Sequence, residues 1–322
     1  MVVMTDQALP EVRSADSTLL TGVRYRGLRR TQAIEGLLCI APWFIGFVVF
    51  TAIPMLSAFG IALTRWDIIG TPEFVGLANF QKMANDKIFY KSLSNTFFIS
   101  FSAVPLNLAV ALVLALALNQ KVRGVNLYRT IYFLPSQMPL VAASLLWLWI
   151  FNPDFGLANI LLGMVGLPPL KWLFDPDLAR PTIVLITLWG GVGTAMMVFL
   201  AGLQGIPQSL YEASAIDGAG PAQQFRHVTL PMLSPVIFFN LIIGIISSFQ
   251  AYFTLIYNTT RGGPANETLI YIIFIFFKAF QDFEMGYASA LSLVLFAVVL
   301  VLTGIQFLLA RRWVYYEGDD RA

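Results

Sequence analysis

Six long apolar segments limit what this chain can fold into more than any other feature of its sequence. Each is long enough to cross the hydrocarbon core of a bilayer, which is about 30 Å thick. Composition agrees, because 57% of the 322 residues are hydrophobic and only 12% are charged, against about 25% in an ordinary soluble domain. The sequence therefore predicts an all-α integral membrane protein. Its six predicted transmembrane helices cover approximately residues 35–63, 92–118, 129–151, 182–205, 232–257 and 287–310.

The sequence contains no motif for catalysis, metal binding or nucleotide binding. The single cysteine, Cys39, lies in an apolar segment, so neither a disulfide framework nor a cysteine-rich metal site is predicted. The patterns HExxH, GxSxG and GxxxxGK[ST] are all missing, so we expect no catalytic residue, no metal and no ATP bound by this chain. The net charge of +2 neither favours nor disfavours nucleic acid, and no nucleic-acid partner is predicted.

The central parts of the six segments contain no ionisable side chain. Proton- and sodium-coupled carriers usually keep such residues at depth, because a charge inside the membrane is costly and is retained only for function. The only histidine, His227, lies between the fourth and fifth segments, where we interpret it as a solvated surface residue. A secondary carrier or channel is an alternative, but the pattern favours transport driven by energy from another chain.

Basic residues predict the orientation in the membrane. With the N-terminus inside, the inner connections and tails hold 12 lysines and arginines and the outer connections hold 8. Such a bias near span ends places the richer side in the cytoplasm, so both termini are predicted to be cytoplasmic. The predicted organisation is a mostly disordered tail (1–32), a six-span domain (33–312) and a short C-terminal tail (313–322).

A polar stretch, Pro207–Pro235, separates the fourth and fifth segments. Ser209 stands three residues before Glu212, the spacing of a capping box at a helix start. Apolar residues then recur at helical spacing and form a small face. The stretch is either a structured interfacial loop or a helix presented to a partner. The predicted apolar face consists of Leu210, Ala213 and Ile216.

The same stretch predicts a turn and a second short helix. Gly218 is a good helix stop, because glycine adopts the left-handed backbone conformation at little cost. Pro221 suits the first turn of a following helix. That helix would carry Phe225 and end before Leu230-Pro231.

The stretch contains Glu212-Ala213-Ser214, Asp217-Gly218-Ala219 and Leu230-Pro231. These three groups resemble the EAA loop of binding-protein-dependent ABC importer permeases. In that family the loop forms coupling helices that dock onto a separate ATPase subunit. Ser214 stands where the family often has alanine, and both residues are small. The resemblance covers roughly residues 35–312 and implies the type I importer permease fold. The ATPase-coupling residues that it implies are Glu212, Ala213, Ser214, Asp217, Gly218, Ala219, Leu230 and Pro231.

Two of the outer connections carry further family markers. Residues 74–80, with the sequence FVGLANF, resemble the marker of the family's first outer loop. Gly262-Gly263-Pro264 stands at the family's position after the fifth span. The alternative for each is an ordinary glycine- and proline-containing turn between spans.

Uncharged polar and aromatic residues occur together in the fourth and fifth segments. Amide, hydroxyl and phenol groups bond sugar hydroxyls, and aromatic rings stack on the C–H face of a sugar. The alternative is that these residues pack the helices together. Resemblance to maltose-type permeases implies sugar binding at the equivalents of these two spans. The predicted substrate-binding residues are Gly191, Thr194, Phe249, Gln250 and Tyr252.

The sequence and the resemblance together predict a permease subunit of an ATP-driven importer for a sugar or oligosaccharide. Expected partners are a second homologous permease, two ATPase subunits that bind ATP and magnesium, an extracytoplasmic binding protein and the lipid bilayer. The expected location is a bacterial or archaeal cytoplasmic membrane. The alternative in the same class is a permease for glycerol phosphate or a peptide. A phosphate group would favour an arginine or lysine near the cavity, and none lies in the spans.

Overall fold

The computed structural model describes residues 24–120 and 123–315, with side chains from residue 32 onward. The predicted disordered tail lies mostly outside the described residues, but its last part, from Arg24, is helical. The chain divides into two compact units between Ser57 and Ala58. In the first unit, helix α1 (Arg24–Phe47) is followed by a π-helical turn (Val48–Ala52).

The positions of the predicted membrane segments are confirmed. Five helices are long and apolar enough to cross a membrane, and a bent pair of helices, counted as one span, makes six. Apart from a small hairpin of two short strands, the described chain is built from helices. The five unbroken candidate spans are Gln32–Ala62, Lys87–Leu118, Ala179–Gln204, Pro221–Thr259 and Met285–Ala310.

Elements from the end of the first span onward are numbered in chain order. They begin with α2 (Ile53–Ala62), β1 (Thr64–Arg65), β2 (Glu73–Phe74), α3 (Ala78–Ala84), α4 (Lys87–Leu118), α5 (Val125–Phe133), α6 (Leu140–Ile150) and α7 (Leu157–Met164). They continue with α8 (Ala179–Gln204), α9 (Gln208–Ile216), α10 (Pro221–Gln224), α11 (Leu230–Ala251), α12 (Phe253–Thr259), α13 (Tyr271–Phe280) and α14 (Met285–Ala310).

The third span is broken, whereas the sequence predicts one continuous segment over residues 129–151. α5 is followed by a 3₁₀ turn (Leu134–Gln137), and the chain bends by 97° before α6. Two prolines explain the break. Pro135 lies in the 3₁₀ turn, and Pro139 caps α6 and keeps Met138 extended, because proline disfavours helical conformation in the residue before it.

The second unit is organised around α4 and α8, which pack along each other and carry much of the buried core. Small residues allow the helices to approach closely. A Cβ atom on Gly244 of α11 would lie 2.8 Å from Val104 of α4, and one on Gly202 of α8 would lie 2.9 Å from Leu233. Leu108 of α4 packs against both buried clusters of this unit.

The fifth span differs from the prediction at its start. The second short helix, α10, does not end before Leu230-Pro231 but runs through a π-helical turn (Phe225–Thr229) into α11. The Leu230 N–H donates to the Phe225 carbonyl, five residues back. Pro231 follows this turn as the second residue of α11, and local π adjustments are one way in which membrane helices tolerate a proline.

Candidate functional site

A cavity of about 360 Å³ lies in the second unit among α4, the broken third span, α8 and α11. Its volume falls in the range of small-molecule sites, roughly 300–1,000 Å³. None of the residues that line it is Asp, Glu, Lys, Arg or His. Its neutral polar groups come from Asn107, Ser136, Thr187, Thr194, Asn240, Ser247, Ser248 and Tyr252, and its aromatic rings from Trp147, Trp189 and Tyr252.

The break in the third span opens onto this cavity. Pro135, Ser136, Met138 and Leu140 all line it. Where a helix is interrupted, backbone groups lose their partners, and at membrane depth this is tolerated only inside protein or beside a water-filled cavity. The break therefore lies beside the cavity, the setting in which an interrupted span is tolerated.

Aromatic rings form one wall of the cavity. Trp147 makes an edge-to-face contact with Trp189, with ring centroids 5.4 Å apart, and stacks on Phe151 at 5.1 Å. The Trp147 Nε1 atom is buried and has no hydrogen-bond partner in the structure. A buried indole N–H normally has an acceptor. This wall thus presents apolar ring faces to the cavity.

Of the predicted substrate-binding residues, the structure places Gly191, Thr194 and Tyr252 on the cavity and two elsewhere. Phe249 is 1% exposed and packs edge-to-face against Phe97 in the core. Gln250 is exposed and lies outside the cavity lining. Helical periodicity is the reason, because neighbouring residues of a helix point in directions about 100° apart. The prediction is therefore corrected at both positions.

Asn107 is a cavity residue that the sequence analysis missed. A Cβ atom on Gly191 would lie 2.5 Å from the Asn107 side-chain nitrogen. The glycine therefore makes room for this amide between α4 and α8. A signal was available, since Asn107 is the only polar residue between Pro105 and Leu118. An isolated amide in such an apolar run points to a packing or binding role.

The stretch Pro207–Pro235 forms a second candidate site. Its predicted capping box is wrong, because α9 begins at Gln208 with Pro207 as its cap residue and no side-chain capping bond. Ser209 is thereby already inside the helix, where its hydroxyl cannot take the capping position. Glu212 is exposed on the helix surface.

The predicted stop at Gly218 is confirmed. Its φ of +82° is left-handed. The Gly218 N–H donates to the Ala215 carbonyl at 3.1 Å, and the Ala219 N–H donates to the Ser214 carbonyl at 2.9 Å. This pair of bonds is a Schellman motif. The predicted start at Pro221 is also confirmed, in the first turn of α10.

Hydrogen bonds fix the angle between the two short helices. The Tyr211 hydroxyl bonds the Thr229 hydroxyl at 2.9 Å. The Gln224 amide nitrogen donates to the Ser214 hydroxyl at 3.1 Å and to the Tyr211 carbonyl at 3.2 Å. Ser214 thus uses its hydroxyl within the loop.

The predicted apolar face of α9 points outward. Leu210, Ala213 and Ile216 are all exposed, and Ile216 is 87% exposed. His227 is exposed as well, which agrees with its interpretation as a surface residue. Apolar residues presented on a braced helix are typical of an interaction site.

Residues of the first and third outer connections form a charged cleft of about 720 Å³. The Lys82 ammonium lies 2.6 Å from a Glu284 carboxylate oxygen, and Lys278 lies 2.7 Å from Asp282. Burial alone lowers the pKa of Lys278, but hydrogen bonds and attraction from Asp282 and Glu284 outweigh it and raise that pKa. Asn79, from the predicted marker sequence, donates to the Thr64 carbonyl.

Comparison with known proteins matches residues 107–315 to the family described as "binding-protein-dependent transport system inner membrane component". A probable ABC transporter permease, YesP of Bacillus subtilis (strain 168), is 39% identical over 90% of this chain and 95% of that protein. The trehalose/maltose permease MalF of Thermococcus litoralis is 34% identical over 92% of this chain and 98% of that protein. The sn-glycerol-3-phosphate permease UgpA of Pectobacterium atrosepticum is 34% identical over 86% of this chain and 94% of that protein.

A solved structure has the same fold. It is the bacterial alginate ABC transporter in complex with an alginate pentasaccharide-bound periplasmic protein. One of its chains aligns with a TM-score of 0.78 over 90% of this chain and 97% of that chain, at 23% sequence identity. At this identity the match shows the fold alone.

Proposed function

Because this chain belongs to the family of binding-protein-dependent transport system inner membrane components, we propose that it forms half of the pathway of an ATP-driven importer for a neutral sugar or oligosaccharide. The family consists of transport subunits of the inner membrane, and the six candidate spans fit a multi-pass subunit.

The observation that carries the substrate class is the lining of the cavity. It combines eight neutral hydrogen-bonding side chains with two tryptophans and has no charged group. Sugars are recognised by this combination, because their hydroxyls need donors and acceptors while their C–H faces lie on aromatic rings.

The main alternative is glycerol phosphate, which is the substrate named for a 34% identical relative. A phosphate dianion is held best by arginine, lysine or a cluster of backbone N–H groups. Among the residues that the structure describes, no arginine or lysine lines this cavity. The same argument disfavours an acidic oligosaccharide, and we therefore favour the neutral one.

Coupling to ATP is assigned to Pro207–Pro235. Its residues Glu212, Ala213, Ser214, Asp217, Gly218, Ala219, Leu230 and Pro231 would contact an ATPase subunit, which binds ATP and magnesium. Support comes from the outward apolar face of α9 and from the hydrogen bonds that brace it. A rigid helix can transmit the closing movement of a partner, whereas a mobile loop would absorb it.

The remaining partners follow from the family. A second homologous permease would complete the pathway, and the charged cleft, which is lined by Lys82, Asp282 and Glu284, is the surface we assign to an extracytoplasmic binding protein. Both termini would then be cytoplasmic.

Uptake into vesicles tests the substrate class. The full complex, with its binding protein, is reconstituted and supplied with internal ATP, and uptake is measured for neutral di- and trisaccharides, an oligouronate and glycerol 3-phosphate. We expect uptake of a neutral saccharide that excess glycerol 3-phosphate does not inhibit. Uptake of only the anionic compounds would reject a neutral sugar as the substrate.

A further inference from the structure

Helix α7, in the connection between the third and fourth spans, has an apolar stripe on its outer side. Leu157, Ile160, Leu161 and Met164 recur at the spacing i, i+3, i+4 and i+7, which normally marks the face of a helix that packs on a core. In this structure all four are exposed, and Met164 is 75% exposed.

The opposite side of α7 is firmly attached to the protein. Ala158 packs against the buried core. The Asn159 side chain donates to the carbonyls of Pro153 and Leu170, each at 2.9 Å, and accepts from the Leu170 N–H and the Trp172 indole N–H. Its amide therefore fixes both the loop and the direction in which the apolar stripe faces.

The apolar surface extends beyond the helix. Val165 and Leu167 are exposed too, and residues 155–170 contain no charged residue. The segment leaves α6 at Ile150 and enters α8 at Ala179, so both of its ends are tied to spans at one membrane boundary.

The composition of the stripe identifies what covers it. Protein interfaces are enriched in aromatic residues, Met and arginine and have a polar rim, whereas three of the four side chains of this stripe are Leu or Ile, and residues 155–170 supply no charged group for a rim. In the preceding helix, α6, Trp149 is exposed as well. Tryptophan and lysine are typical of the headgroup region, and Lys171, exposed and placed after the apolar run, fits that position.

We infer that α7 is a lipid-contact helix. It lies along the extracytoplasmic surface of the cytoplasmic membrane, with its Leu157/Ile160/Leu161/Met164 stripe in the acyl region of the outer leaflet. This surface is independent of the substrate and of the ATPase. Its role is to anchor the connection that leads from the broken third span into α8, next to the cavity.

Spin labelling in a bilayer tests this inference. With Cys39→Ser as parent, Met164→Cys and Ile160→Cys are labelled with a nitroxide in the full complex in lipid vesicles, and Asp177→Cys serves as the matched control in the same connection. Asp177 is exposed and polar. Collision with dissolved oxygen reports lipid, and collision with a water-soluble nickel chelate reports solvent.

We expect the oxygen-to-nickel collision ratio to be several-fold higher at Met164 and Ile160 than at Asp177. A ratio equal to that at Asp177 would show that water covers the stripe. Low collision with both reagents, or a ratio that falls when the binding protein is added, would show that a protein covers it, and either result overturns the inference. Uptake by each labelled complex, compared with the parent, confirms that the protein is folded.

Discussion

At the scale of single residues, Tyr252, which joins α11 to α12, allows a test of the cavity. Tyr252 lines the cavity, and its side chain lies beside Thr187. Tyr252→Phe removes only the hydroxyl, so a sugar hydroxyl loses one hydrogen bond worth about 0.5–1.5 kcal/mol. We expect the KM for uptake to rise about two- to tenfold, measured in vesicles with saturating binding protein.

Gln250→Ala is the matched control, because Gln250 lies two residues before Tyr252 in the same span but outside the cavity lining. Its KM should stay at the wild-type value. A raised KM for Gln250→Ala together with a normal one for Tyr252→Phe would mean that Gln250, and not Tyr252, faces the substrate. Residue composition indicates that a helix carries a binding face, but which residues form that face depends on how the helix is rotated in the bundle.

At the scale of elements, the turn between α9 and α10 determines the shape of the docking surface that we propose for the ATPase. Gly218→Val places a β-branched residue at a φ of +82°, which costs about 1–3 kcal/mol and displaces the turn. We expect the purified complex to retain less ATPase subunit and to lose hydrolysis stimulated by loaded binding protein.

Gly220→Ala is the control for this turn. Gly220 has a φ of −75°, and the nearest atom to an added Cβ would be the Gln223 side-chain oxygen at 4.0 Å. This variant should keep both docking and stimulation. Wild-type behaviour of Gly218→Val would mean that Pro207–Pro235 is only a connector.

A second element-scale prediction concerns the loop after the fifth span. Glu267 lies 2.6 Å from Lys91 at the start of α4 and 3.2 Å from Arg180 at the start of α8. Its side chain is mostly buried, so Glu267→Gln should lower the free energy of unfolding by about 1–3 kcal/mol and reduce Tm. Glu73→Gln, whose pair with Arg65 is exposed at 3.7 Å, should leave Tm unchanged. If both variants change Tm by the same amount, the ion pairs of Glu267 contribute no more to stability than the exposed pair of Glu73.

At the scale of the whole molecule, the sequence predicts the spans well and their internal breaks poorly. Apolar length is a local property that the bilayer imposes, which is why five unbroken helices match the predicted segments. Proline has opposite effects at two positions. The chain bends by 97° at Pro139, whereas the helix continues through Pro231. Neighbouring helices decide between them, because they supply or withhold partners for the freed carbonyls.

Membrane topology is the prediction on which the roles of both surfaces depend. α8 is one unbroken helix of 26 residues, about 39 Å long at 1.5 Å per residue, so it crosses the membrane once. Asp177 before it and Gln223 after it must then lie on opposite sides. The basic residues favour the cytoplasm for Gln223. In a Cys39→Ser background, an impermeant thiol reagent should label Asp177→Cys in spheroplasts, but Gln223→Cys only after permeabilisation. The reverse pattern would exchange the roles of Pro207–Pro235 and the charged cleft. Labelling of both cysteines in spheroplasts would show that α8 does not span the membrane.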